Sequence, residues 1–121
     1  RGSARTRCAI PAVLSDEMID EIAAYYAGLP FVPAKEEFDA ALAEAGKAIH
    51  EAECDRCHSE GGSNPEDDAS ILAGQQIGYL KDTFAEYRAG EREQPKKMEE
   101  KLSALGDDDV KALVHYYASQ Q

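Results

Sequence analysis

Near the middle of the chain, Cys54-Asp55-Arg56-Cys57-His58 restricts what this sequence can fold into more than any other stretch. Two thiols in a C-x-x-C spacing, followed at once by an imidazole, form the attachment sequence of c-type haem. Each thiol can add to one vinyl group of the haem. The imidazole can then bind the iron from the side that the peptide covers. One short turn would serve covalent anchoring and axial ligation together, and the rest of the chain would have to enclose a flat, apolar body.

Three plainer chemistries fit these residues less well. His50, Cys54, Cys57 and His58 are all zinc-ligand types. Structural zinc sites, however, draw their ligand pairs from segments separated by about a dozen residues or more. All four candidates here fall within nine residues. A thioredoxin-like redox pair needs a βαβ setting, and no strand pattern is present. A structural disulfide gives the adjacent histidine no purpose.

Apolar residues recur at helical spacing along most of the sequence, which predicts an all-α fold. Leu14 to Gly28 reads as a helix, with Ser15 as N-cap, acids in the first turn, and Gly28 and Pro30 to end it. Met18, Ile19, Ile22, Tyr25 and Tyr26 form its apolar stripe. Pro30 to Pro33 is a linker. A second helix is predicted from Glu36 to about Cys54, with Gly46 where close approach of another helix is needed. Ser59 to Asp68 is a polar loop. Further helices are expected over Gln75–Ala89, over one or two turns at Lys97–Leu102, and over Asp107–Ser119. Residues 1–13 read as an extended lead-in.

The first and last of these helices resemble each other. Leu14/Leu105, Asp16/Asp107, Ile19/Val110, Ile22/Leu113, Tyr25/Tyr116 and Tyr26/Tyr117 pair at a constant offset of 91 residues. This implies an internal repeat. Residues 1–32 are then the remnant of a lost first haem domain, and residues 33–121 are a domain holding one haem.

Such a haem needs a ligand on its second face, and a thioether there raises the reduction potential. The chain offers Met18 and Met98. Met98 follows His58 by forty residues and is placed in a loop between two helices, whereas Met18 belongs to a packing stripe. His50 lies on the helix that already carries Cys54 and cannot easily reach the opposite face. His115 is expected at a surface or interface. The expected site is therefore Cys54, Cys57, His58 and Met98, with His58 and Met98 on the iron. Cys8 has no partner left and is expected to be an unpaired thiol.

The net charge of −11 and the pI near 4.6 exclude nucleic acid as a natural partner and fit docking to a basic or mixed-charge protein surface. No run of about eighteen apolar residues suits a membrane span, and no secretory signal is visible. Thioether attachment of haem takes place outside the cytoplasm, so a periplasmic location is expected. Whether Arg1-Gly2-Ser3 is native is not legible.

The motif, Leu72-Ala73-Gly74-Gln75, Tyr79-Leu80, Met98 and the tyrosine-bearing last helix together resemble class I bacterial cytochromes c. Pro33-Ala34-Lys35-Glu36-Glu37-Phe38-Asp39-x-Ala41-Leu42-Ala43, Ile71 to Gln75, Lys96-Lys97-Met98 and Tyr117-Ala118-Ser119-Gln120-Gln121 are similar to the second haem domain of the cytochrome subunit of flavocytochrome c sulfide dehydrogenase. That resemblance implies a class I cytochrome c fold around one covalent haem c, with an extra N-terminal helix. It also implies a heterodimer in which an FAD-containing flavoprotein oxidises sulfide. This chain would then pass single electrons through its haem to a soluble acceptor such as another cytochrome c, and would hold no flavin itself. Two other functions fit the sequence: a free-standing periplasmic electron carrier, and a haem that is itself catalytic, which would need an open sixth position.

Overall fold

The computed structural model of the protein describes residues 11–121. Cys8 and most of the expected lead-in lie outside the described residues, and Pro11–Val13 forms a 3-10 turn rather than extended chain. The chain divides into two compact units between Phe31 and Val32. Five α-helices carry the structure: α1 (Asp16–Ala27), α2 (Ala40–Glu53), α3 (Ile77–Arg88), α4 (Lys96–Ala104) and α5 (Asp107–Ala118). Among the described residues there is no strand, and no helix is long and apolar enough to cross a membrane.

The first unit is built on α1. Its N-cap is Ser15, whose hydroxyl accepts from the Met18 amide at 3.3 Å, and Gly28 closes the helix by donating to the Ala24 and Tyr25 carbonyls. Met18, Ile22, Tyr25 and Tyr26 are exposed.

In the second unit, α2 begins at Ala40 and not at Glu36. Residues 34–36 are committed elsewhere. The Ala34 amide donates to the Gly74 carbonyl at 2.8 Å, and the Glu36 carboxylate accepts from the Ile77 amide at 2.7 Å. The Glu36 carbonyl accepts from Gln121 Nε2. Asp39 then caps α2, its Oδ1 accepting from the Leu42 amide at 3.0 Å. Because Glu36 supplies a partner for Ile77, it also fixes the start of α3.

Helices α2 and α5 cross at Gly46. A β-carbon there would lie 2.2 Å from the Ala112 carbonyl oxygen and 2.8 Å from Tyr116 Cβ, so only glycine permits this crossing. The Asp39 amide donates to His115 Nδ1 at 3.0 Å, joining the start of α2 to α5. His115, expected at a surface or interface, is part-exposed and serves as this cross-helix tie. Leu80 and Phe84 from α3, Leu102 from α4, and Leu113, Val114, Tyr116 and Tyr117 from α5 form the buried core. Ile49, Cys54, Leu72 and Met98 pack against it, each part-buried.

Candidate functional site

The Cys54–His58 motif continues the winding of α2 for one more turn. The Cys54 and Asp55 amides both donate to the His50 carbonyl, at 2.8 and 2.9 Å. The Cys57 and His58 amides both donate to the Cys54 carbonyl, at 3.1 and 3.0 Å. Each thiol is therefore held on a wound turn and not on a flexible loop. Both cysteines are free; Cys54 is half-buried and Cys57 exposed. Burial pushes the Cys54 thiol up, and the neighbouring Tyr117 hydroxyl pulls it part of the way back.

His58 is half-buried. Burial pushes its pKa below the ordinary histidine value, against a hydrogen bond to the Ser70 main chain and the charge of Asp67. A neutral ring keeps a lone pair for a metal, and a main-chain partner fixes the ring's orientation, as ligating histidines require.

The loop after His58 is clamped by Asp67. Its carboxylate accepts from the Ser59 amide at 2.6 Å, from Ser59 Oγ at 2.9 Å and from Asn64 Nδ2 at 3.3 Å. Between these anchors Glu60 takes φ 54° and Gly61 and Gly62 take φ 72° and 79°. Left-handed backbone is uncommon for a non-glycine residue, and the hydrogen-bonded clamp holds it there. Gly62 is also a cradle: a β-carbon would lie 2.9 Å from Leu72 Cβ, while the Gly62 carbonyl accepts from the Leu72 and Ala73 amides. This loop was readable as polar chain; nothing in its composition marked Asp67 or Ser70 as partners of the motif.

Met98 lies in the first turn of α4, its amide bonded to the Pro95 carbonyl at 2.9 Å, and not in a loop. Pro95 starts the helix one turn before the methionine, because proline suits a helix start. Its side chain is part-buried against the core. Met18 stands on α1, in the other unit. His50 is buried on α2. Among the described residues no three His, Cys, Asp or Glu side chains converge as metal ligands, which gives the zinc reading no geometry. The donor set that remains suits haem c: two unpaired thiols on one turn, a neutral imidazole beside them held from behind, and a glycine-lined loop with no room for a side chain.

The family model described as cytochrome c oxidase, cbb3-type, subunit III matches residues 41–116, which include every member of the expected site. The fold is similar to the crystal structure of reduced recombinant cytochrome c4 from Pseudomonas stutzeri, at TM-score 0.76 and 23% identity. The likeness covers 100% of this chain and 68% of that one. A search of curated proteins finds no match.

Proposed function

The chain belongs to the cytochrome c family, through its cbb3-type subunit III domain, and from this premise we propose that it holds a single haem c. Cys54 and Cys57 would anchor it through their sulfurs, and His58 and Met98 would hold its iron. When bound, haem c takes up and releases one electron at its iron. The observation that carries this reading is the wound Cys54–His58 turn, with the His58 ring against the Ser70 main chain.

The protein's own residues then have separable tasks. Cys54 and Cys57 make attachment permanent, so that no equilibrium loss of the group occurs. Ser70 and the Asp67 clamp keep the His58 ring from turning. Met98 supplies a soft thioether that favours the reduced state. With His58 and Met98 both holding the iron, the chain would carry electrons and leave sulfide and oxygen no open place on it.

The electron donor is an FAD-containing flavoprotein that oxidises sulfide, and this chain is its periplasmic haem subunit. Support comes from the residues similar to flavocytochrome c sulfide dehydrogenase, at 33–43, 71–75 and 96–98, and from the exposed Met18, Ile22 and Tyr26 of α1. Residues 1–32 are the remnant of a first haem domain. Helices α1 and α5 are both twelve residues long and are displaced by the same 91 residues at both ends. Yet Tyr25 and Tyr26 are 64% and 67% exposed where their counterparts Tyr116 and Tyr117 are 8% and 1%. A helix of this pattern is made to be covered, and the flavoprotein covers it.

Purification of the untagged protein from its native host tests this. Flavin and haem c co-eluting in equal amounts support the flavocytochrome, with sulfide turnover as the next assay. Haem c alone, in a particle the size of this chain, removes the flavoprotein and leaves the second reading, a diffusible periplasmic carrier passing electrons to a soluble acceptor. The second reading is favoured by the compactness of residues 32–121, which enclose the whole expected site in one unit.

A further inference from the structure

His50 is the one buried polar or charged side chain among the described residues, at 1% exposure. Its ring lies against two tyrosines of α5, tilted on Tyr116 at 5.2 Å and edge-on to Tyr117 at 5.5 Å. Nδ1 is 3.0 Å from the Tyr117 hydroxyl. Nε2 has no hydrogen-bond partner, although Asp55 Oδ1 stands 3.5 Å away. An orphaned buried nitrogen forgoes the water it would have bonded in the unfolded chain and so costs stability. A phenylalanine could fill the same place between two aromatic rings without that cost, so packing alone does not account for a histidine here.

The hydrogen-bond arithmetic shows what the histidine can do. A neutral ring has one donor nitrogen and one acceptor. With hydrogen on Nδ1, the bare Nε2 faces the Asp55 carboxylate. With hydrogen on Nε2, Nδ1 must take the Tyr117 hydroxyl proton, which is then lost to the Cys54 sulfur, the other group this hydroxyl interacts with. The doubly protonated ring is the one form that turns Nε2–H toward Asp55 and Nδ1–H to Tyr117 Oη at once, which leaves the Tyr117 hydrogen free for the sulfur. The chain of contacts runs from a surface carboxylate to one of the two atoms that anchor the haem.

We propose that His50 is a redox-linked proton site: it gains one proton when the protein gains an electron, and loses it when the electron leaves. The proposal rests on the haem reading above, since the Cys54 sulfur joins the haem only in that case. The electron comes from the donor protein and goes to the acceptor. The proton comes from water past Asp55, and returns there. On reduction the N–H bond forms on His50 as an O–H bond of hydronium breaks, and on oxidation the N–H bond breaks as water takes the proton back. The cause is electrostatic: oxidised iron carries one more positive charge, which opposes a cation on His50 in an interior that screens poorly.

The groups facing His50 set the range of pH in which this happens. They are Glu51 and Cys54 of α2, Asp55 of the following turn, Tyr116 and Tyr117 of α5, and His58 beyond. Burial pushes His50 below the ordinary histidine value, against the pull of Asp55 and Glu51. The reduction potential therefore falls as pH rises through the mildly acidic range. It is flat on either side, and its slope does not exceed one proton per electron.

The test is a spectroelectrochemical titration of the full-length haem-bearing protein between about pH 4 and pH 8, bracketing the histidine range. The wild type is expected to show the slope, His50→Phe to be flat, and Tyr117→Phe, which keeps the ring but cuts the path to sulfur, to show a weaker slope. The NMR titration of the His50 ring in the wild type needs no variant to fold, and is expected to give a higher pKa in the reduced protein than in the oxidised one. A flat wild type, an unchanged slope in His50→Phe, or identical His50 titrations in both oxidation states would overturn the proposal while leaving the haem spectrum intact. A protein without covalent haem would instead remove the reading on which it rests.

Discussion

Met98 and Asp67 are the side chains whose replacement separates the tasks assigned to them. If Met98 is the sixth ligand, Met98→Ala loses the thioether and the potential falls by a substantial part of the roughly 0.8 V that axial ligands span. The absorption spectrum of the oxidised protein and a redox titration read both changes. An unaltered spectrum in the variant would exclude Met98 from the iron. Asp67→Ala leaves the Ser59 amide and Ser59 Oγ without their acceptor, while Asn64 Nδ2 keeps Ser59 Oγ. The expected loss is about 1–3 kcal/mol of stability, measured by urea unfolding of the haem-bearing protein, with Asp67→Asn recovering part of it. A variant as stable as the wild type would show that the loop after His58 does not depend on this clamp. Of the residues around the site, the two cysteines, His58 and Met98 were legible because their chemistry is rare in a short sequence. Asp67, Ser70 and Tyr117 were not, since a polar loop residue and an aromatic on a helical stripe carry no mark of the distant group they meet.

Among the elements, the crossing of α2 and α5 is the most sensitive. Gly46→Ala places a β-carbon 2.2 Å from the Ala112 carbonyl oxygen, and a backbone oxygen cannot swing away as a side-chain end can. Overpacking costs about 1–3 kcal/mol, which outweighs the roughly 1 kcal/mol that alanine gains over glycine in a helix. A lowered unfolding midpoint is expected; a raised one would mean that the two helices do not meet there. Four of the five helices were visible from their pattern, the fourth helix in chain order was expected only as one or two turns at Lys97–Leu102 where it runs Lys96–Ala104, and Gly46 was readable as the point of approach. Their ends were less so. Helix α2 starts at Ala40 because Glu36 reaches 41 positions along the chain to the Ile77 amide, and local pattern cannot see such a partner. The same limit placed Met98 in a loop, when Pro95 caps α4 just before it, and left unseen that His115, expected at a surface or interface, ties α5 to the Asp39 amide.

At the scale of the whole molecule, the division between Phe31 and Val32 makes a prediction about independence. Removing residues 1–31 is expected to leave the unfolding midpoint and the haem spectrum of residues 32–121 unchanged while abolishing association with a flavoprotein. Loss of haem on truncation would mean that α1 supports the site itself. The acidic character of the chain, −11 overall, makes any docking to a basic or mixed-charge partner weaken as salt screens it. The fold class was legible at this scale because one pentapeptide dictates what must be enclosed; the partner was not, because an exposed face does not name what meets it. The most direct measurement is the mass of the purified, denatured protein, with sequencing of the peptide that contains residues 54–58. One haem that stays on the chain through acid extraction, located at Cys54 and Cys57, is the predicted result. A polypeptide of unmodified mass from a host able to attach haem, or haem that extracts freely, would contradict it.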